Sequence, residues 1–274
     1  GGTVNTIQDK WPDEFLGLLG AGMRIGQFNR LVCYLENHLI GDPTFHFANN
    51  SGIDVDINRA LVLEEGNLNY WKKQLDSPLP DMRALALREL CKGGYDQLPE
   101  LLEKSYFTSD YFVVRLEAMR LLALNYPEKA IKVLQAALND GYELVRRFAC
   151  EYVEKNGHPD LIPAVIKAYL ERQHESRLNF KLISGLGAFD TNALLQELDK
   201  QAANKYFYDS SYVDRFRKQI KQSEKRMQAD LKEMFDTTVK PNRVRLDIVV
   251  YRNHPNTAGI DPLLKFASDE TRDK

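Results

Sequence analysis

VVRLEAMRLL, residues 113–122, has its apolar side chains at separations of three and four, the period of a helix that buries one side. The phrase recurs. DMRALALREL from Asp81, LVRRFACEYV from Leu144 and ESRLNFKLIS from Glu175 align with it. Arg83, Arg115, Arg146 and Arg177 come into register, separated by 32, 31 and 31 residues. Three residues after each arginine stand Ala86, Ala118, Ala149 and Phe180. Met82, Leu85, Ala86 and Leu90 share one helical face, as do Val145, Phe148, Ala149, Tyr152 and Val153. A repeat near 31 residues marks a stacked array, in which no unit buries its apolar face alone.

Each of these helices is expected to follow a partner. The candidates begin at Asn67, Leu98, Pro127 and Pro159. Pro99, Pro127 and Pro159 suit a first helical turn, where a missing N–H costs nothing. Pro163 should loosen or kink its own first turn. Gly93-Gly94, Asn139-Asp140-Gly141 and Asn156-Gly157 punctuate the units.

The hydrophobe-arginine-x-x-alanine steps, Val114-Arg115 with Ala118 and Val145-Arg146 with Ala149, resemble the HEAT-repeat family. Asp140, shortly before its step, fits the same pattern. The resemblance covers residues 67–200 and implies a mainly α fold, a right-handed α-solenoid of helical hairpins. The fourth unit departs from it, with Ser176 for the aliphatic residue and Phe180 for the alanine.

Outward from the array, Thr191 opens a candidate helix, and a long one runs from Ser210 to Phe235, with Ser210 or Ser211 as cap. RVRLDIVVYR from Arg243 alternates Val244, Leu246, Ile248 and Val250, which predicts a strand over 243–251. Upstream, GMRIGQFNRLVCYLENHL predicts a helix with Ile25, Phe28, Leu31, Val32 and Leu35 inward, and a short strand follows at 44–47. The two small β elements are expected to pair. Three segments follow: 1–66, an array at 67–200, and a capping helix with strand and tail at 201–274. Ile25-Gly26 and Gly41-Asp42-Pro43-Thr44 resemble the last helix and closing strand of gingipain-type cysteine peptidase domains. That family's catalytic His and Cys lie upstream of this element, so Cys33 and His38 do not inherit their roles. The resemblance implies the downstream part of a longer, exported protein, which favours the cell envelope over the cytoplasm.

The formal net charge of the 274 residues is −2, with acidic residues in excess before residue 80 and basic ones after 200. No global field recruits nucleic acid or an anionic membrane. No apolar run is long enough to span a bilayer. Cys33, Cys91 and Cys150 have no metal-ligand spacing and read as small buried hydrophobes. The glycines at 17, 20, 22 and 26 form no phosphate loop. Asp54 and Asp56 lack the downstream glycine and glutamate of a calcium loop and read as a turn into a helix. His158, before a proline, reads as a cap. No catalytic residue, metal ligand or cofactor is expected.

The sequence therefore points to a non-catalytic scaffold for a protein or peptide partner, which could be another domain of the same polypeptide. The alternative is an accessory module of a longer peptidase-like envelope protein. A HEAT-like DNA-processing enzyme would need a cationic groove, and Glu151 and Glu154 interrupt the basic positions. Arg83, Arg115, Arg146 and Arg177 should form a structural ladder, with Asp81, Asp110, Asp140, Glu175 or turn carbonyls as partners. Positions one, four and five after each stepped arginine should face away from the core along a concave binding row. They are Arg88, Leu116, Arg120, Arg147, Glu151, Lys181 and Leu182.

Overall fold

The computed structural model describes residues 15–32, 39, 41–203, 209–253 and 259–269. Those residues are mainly helical and contain no strand. The chain divides into two compact units, 1–126 and 127–274. That boundary falls within the expected array.

In the first unit, α1 (Leu16–Gly20) and α2 (Ile25–Val32) precede α3 (Ile57–Leu63) and α4 (Leu68–Gln74). Then come α5 (Pro80–Lys92), α6 (Leu98–Thr108) and α7 (Phe112–Asn125). The Asp56 carboxylate accepts from Arg59 N–H at 3.1 Å and opens α3, so the Asp54/Asp56 stretch is an extended lead into a helix. Asn67 caps α4 in the same way through Tyr70 N–H. α5 packs on α1, α4 and α7, and α7 also on α6. Enclosed on several sides, α5 is buried continuously from Ala84 to Leu90. Trp71, fully buried, donates its indole N–H to Glu64 O at 2.7 Å.

The second unit begins with α8 (Ile131–Ala137) and α9 (Glu143–Asn156). Gly157, at φ 63°, ends α9 in the left-handed conformation that glycine adopts without penalty. His158 Nδ1 then accepts from Asp160 N–H at 3.3 Å, as a cap should. A 3-10 turn over Pro159–Leu161 leads into α10 (Ile162–Glu171), with Pro163 in its first turn. The first turn expected from Pro159 is thus 3-10 rather than α. α11 (Ser176–Ser184), α12 (Thr191–Ala202), α13 (Ser210–Phe235), α14 (Pro241–Asn253) and α15 (Ile260–Ala267) complete the unit. The cap of α13 is Asp209, whose carboxylate accepts from Ser211 N–H at 2.8 Å, rather than either serine.

Both β expectations are corrected. Residues 243–251 lie in α14. Val244, Ile248 and Tyr251 recur at helical spacing and pack with Met227, Leu231 and Met234 of α13. The alternation that suggested a strand leaves Leu246 and Val250 60% and 41% exposed. Tertiary burial of one helical stripe overrides the β preference of Val and Ile. Residues 45–50 are irregular and make no ladder, so the expected β pairing does not form. Of the inward residues expected in the N-terminal helix, Phe28 is buried and Ile25, Leu31 and Val32 are half-buried. Cys33, Leu35 and His38 lie outside the described residues.

Candidate functional site

Three of the four stepped arginines perform one repeated task. Arg83 Nε donates to Ser77 O at 2.5 Å, Arg115 Nη1 to Ser109 O at 3.0 Å, and Arg146 Nη1 to Asp140 O at 2.5 Å. Each carbonyl lies six residues upstream of its arginine. The side chain of the same acceptor residue takes the N–H two residues on: Ser77 from Leu79, Ser109 from Tyr111, Asp140 from Tyr142. One polar residue thus satisfies an orphan amide at the helix entrance while the arginine satisfies its carbonyl. Arg146 adds a bidentate pair to Glu175, at 3.0 and 2.9 Å. Asp81 serves elsewhere, accepting from Gly17 N–H at 3.0 Å.

Arg177 does not join the ladder. α11 starts at Ser176, so Arg177 sits in its first turn and is exposed. Asn179 takes the role, donating Nδ2 to Arg172 O at 3.1 Å and Gln173 O at 3.3 Å. The fourth step is therefore displaced by two residues. In that register Leu178 and Leu182 occupy the hydrophobe and alanine positions, both buried, and Phe180 falls 69% exposed.

The expected binding row is mostly interior. Arg88, Leu116, Arg147 and Leu182 are buried, and Arg120, Glu151 and Lys181 are half-buried. The central helices are covered on more than one side, so the positions expected to face away from the core meet neighbouring elements instead. Arg88 Nε and Nη2 each bond Glu117 at 2.7 Å, Nη1 bonds Leu31 O at 2.6 Å, and the Phe15 ring lies 4.3 Å from its guanidinium carbon. Arg120 reaches the same carboxylate at 3.5 Å. Burial works against the Glu117 charge, but Arg88, with help from Arg120 and Lys92, outweighs it and holds the carboxyl below the ordinary glutamate range. Arg147 pairs with Glu143 at 2.7 Å, and Glu151 with Lys155 at 2.8 Å.

The second unit carries an open groove of about 710 Å³ that the sequence did not suggest. Phe180 and Ile183 form one wall, and Val250 and Tyr251 another. α13 supplies the face between them, with Gln222, Arg226 and Met227 among its lining residues. Tyr251 donates its hydroxyl to Met227 O at 3.2 Å, and burial pushes the phenol up to about 12. Burial also raises the Asp230 carboxyl, with Arg243 opposing. None of the seven expected binding residues lines the groove. The signal that could have found it is Phe180 at an alanine position.

Cys150 is buried and its thiol is pushed up by burial; Cys91 is half-buried and shifted the same way, so neither has the setting of a reactive thiolate. No helix among the described residues is long and apolar enough to cross a membrane. No protein-family model matches the sequence, and a search of curated proteins gives no match.

Proposed function

We propose that this chain is a non-catalytic scaffold of HEAT-like helical hairpins that holds a protein or peptide partner. The observation that carries the reading is the groove of the second unit, an open apolar recess whose wall includes a 69% exposed phenylalanine. A large exposed aromatic beside cationic side chains has the composition of a protein interface. The arginines expected to bind outward are instead bonded inward, which is what a stiff support requires. A photocrosslinking side chain placed at Ser184, inside the groove, should capture one discrete protein in the native host. The same group at exposed Val62, in the other unit, should not. The purified pair should then bind saturably, with the partner's mass unchanged. Identical adducts at both positions, or chemical processing of the captured protein, would sink the reading.

The second reading, an accessory module of a longer peptidase-like envelope protein, is favoured by residues 41–50, which are exposed throughout. Ile25 N–H bonds Phe45 O and Gly26 N–H bonds Pro43 O, both at 2.9 Å, which anchors one end of this stretch. Phe45 and Phe47 meet edge to face with centroids 5.4 Å apart and are about half exposed. The amides from His46 to Asn49 have no protein acceptor among the described residues. Such a segment is a template for a neighbouring sheet edge. Expressed together with any polypeptide encoded upstream, its amides should exchange more slowly. Unchanged exchange would refute this second reading.

A further inference from the structure

The groove exists because α13 outruns the helices it first packs on. Its 26 residues extend about 39 Å. Near its start Tyr212, Val213, Phe216 and Ile220 are buried; Tyr212 donates to Tyr169 O at 3.1 Å, and the Tyr169 ring stacks on Phe216 at 3.6 Å. Near its end Met234, with Met227 and Leu231, joins Val244 and Tyr251 in a separate apolar cluster. Between Ile220 and Met227 no α13 side chain is buried, and the groove opens over this middle stretch.

Lysines follow one edge of this stretch. Lys218, Lys221 and Lys225 are exposed, spaced by three and four, and so form one row along α13. None has an ion pair among the described residues. Lys225 and Arg226 line the groove itself. Asp230 lines its other end, one turn beyond Arg226.

We propose that this groove seats an acidic amphipathic helix of a partner protein, apolar ridge against Phe180, Ile183 and Val250, carboxylates facing Lys218, Lys221, Lys225 and Arg226. The proposal rests on the scaffold reading and names its partner's chemistry. A helix laid along a groove presents anchors at i, i+3, i+4 and i+7, which suits a recess bounded by side chains of three helices. Opposite charge along one edge selects the partner and fixes its direction, because Asp230 repels carboxylates at its end. A nucleic-acid backbone is the poorer fit: Glu224 and Asp230 break the positive row, and the wall is aliphatic as well as aromatic.

The probe is a fluorescent designed helix of about 15 residues, leucines on one face and glutamates flanking them. Titrated with the full chain, it should bind saturably at one site, and the same peptide with lysines for glutamates should not. Reversing Lys221→Glu and Lys225→Glu together should weaken binding about tenfold or more. Phe180→Ser should do the same. Both variants change exposed side chains, so their thermal midpoints should match the wild type. Equal binding of acidic and basic peptides would overturn the proposal. So would wild-type affinity in both variants, or tighter binding of a single-stranded oligonucleotide that the same variants abolish. If the designed helix fails while the Ser184 adduct persists, the groove's partner has other chemistry and the scaffold reading stands. If both fail, the reading falls with the proposal.

Discussion

Arg88 is 6% exposed, and its guanidinium joins four elements of the first unit: the Phe15 ring ahead of α1, the Leu31 carbonyl of α2, its own helix α5, and Glu117 of α7. Phe15 supports it from a left-handed backbone, φ 65°, which costs of order 1 kcal/mol or more in a bulky residue. A paired buried charge becomes expensive when its partner is removed. Arg88→Ala should therefore destabilise the protein by about 3–5 kcal/mol in denaturant titration, while Arg88→Met with Glu117→Leu should be near neutral. Equal losses in the single and double variants would contradict this. The pH dependence has a definite sign. The folded-state pKa of Glu117 lies below its unfolded value, so its stabilisation is present above the ordinary glutamate pKa. It is lost as pH falls through the folded value. Wild type should lose stability over that acid range, and the paired apolar variant should lose less.

At the scale of elements, the helix entrances repeat one arrangement, and side-chain deletions should rank by what each arginine holds. Arg146→Ala, which loses a carbonyl bond and a bidentate carboxylate, should cost about 2–3 kcal/mol, and Arg115→Ala about 1 kcal/mol. Arg177→Ala should fall within about 0.5 kcal/mol of wild type, and Asn179→Ala should cost about 1 kcal/mol. Melting curves that reversed the last pair would restore the original register. The repeat was legible because burial enforces its period, so the arginine-step helices came out near their expected bounds, whereas the helix expected from Pro127 starts only at Ile131, after a turn over 127–130. The slip at the fourth unit was marked by Ser176 and Phe180, two residues that fit the array badly where a shift by two fits well. α14 was misread because Val244 and Ile248 satisfy both a period of two and a period of four. Lysine at the exposed 246 position should be tolerated, and lysine at buried 244 should cost about 2 kcal/mol or more. In a strand the two would share a face and suffer alike, so paired thermal melts separate the alternatives.

Over the whole molecule, each unit has its own core, and the groove belongs to the second alone. It depends on where α14 lies against α13, which no local sequence pattern encodes. The binding row expected from arginine spacing failed for a related reason. Side-chain period gives the face of a helix, but not how many neighbours enclose it; in α5 and α9 enclosure turned Arg88 and Arg147 inward. What remained outside is a basic row beside an apolar recess, and the functional account stands on that recess. The most direct measurement is hydrogen exchange of the full chain, free and saturated with the acidic designed helix. The account predicts slower exchange confined to residues 176–187, 219–230 and 244–251. Protection centred on α5 and α7, or none at saturation, would contradict it.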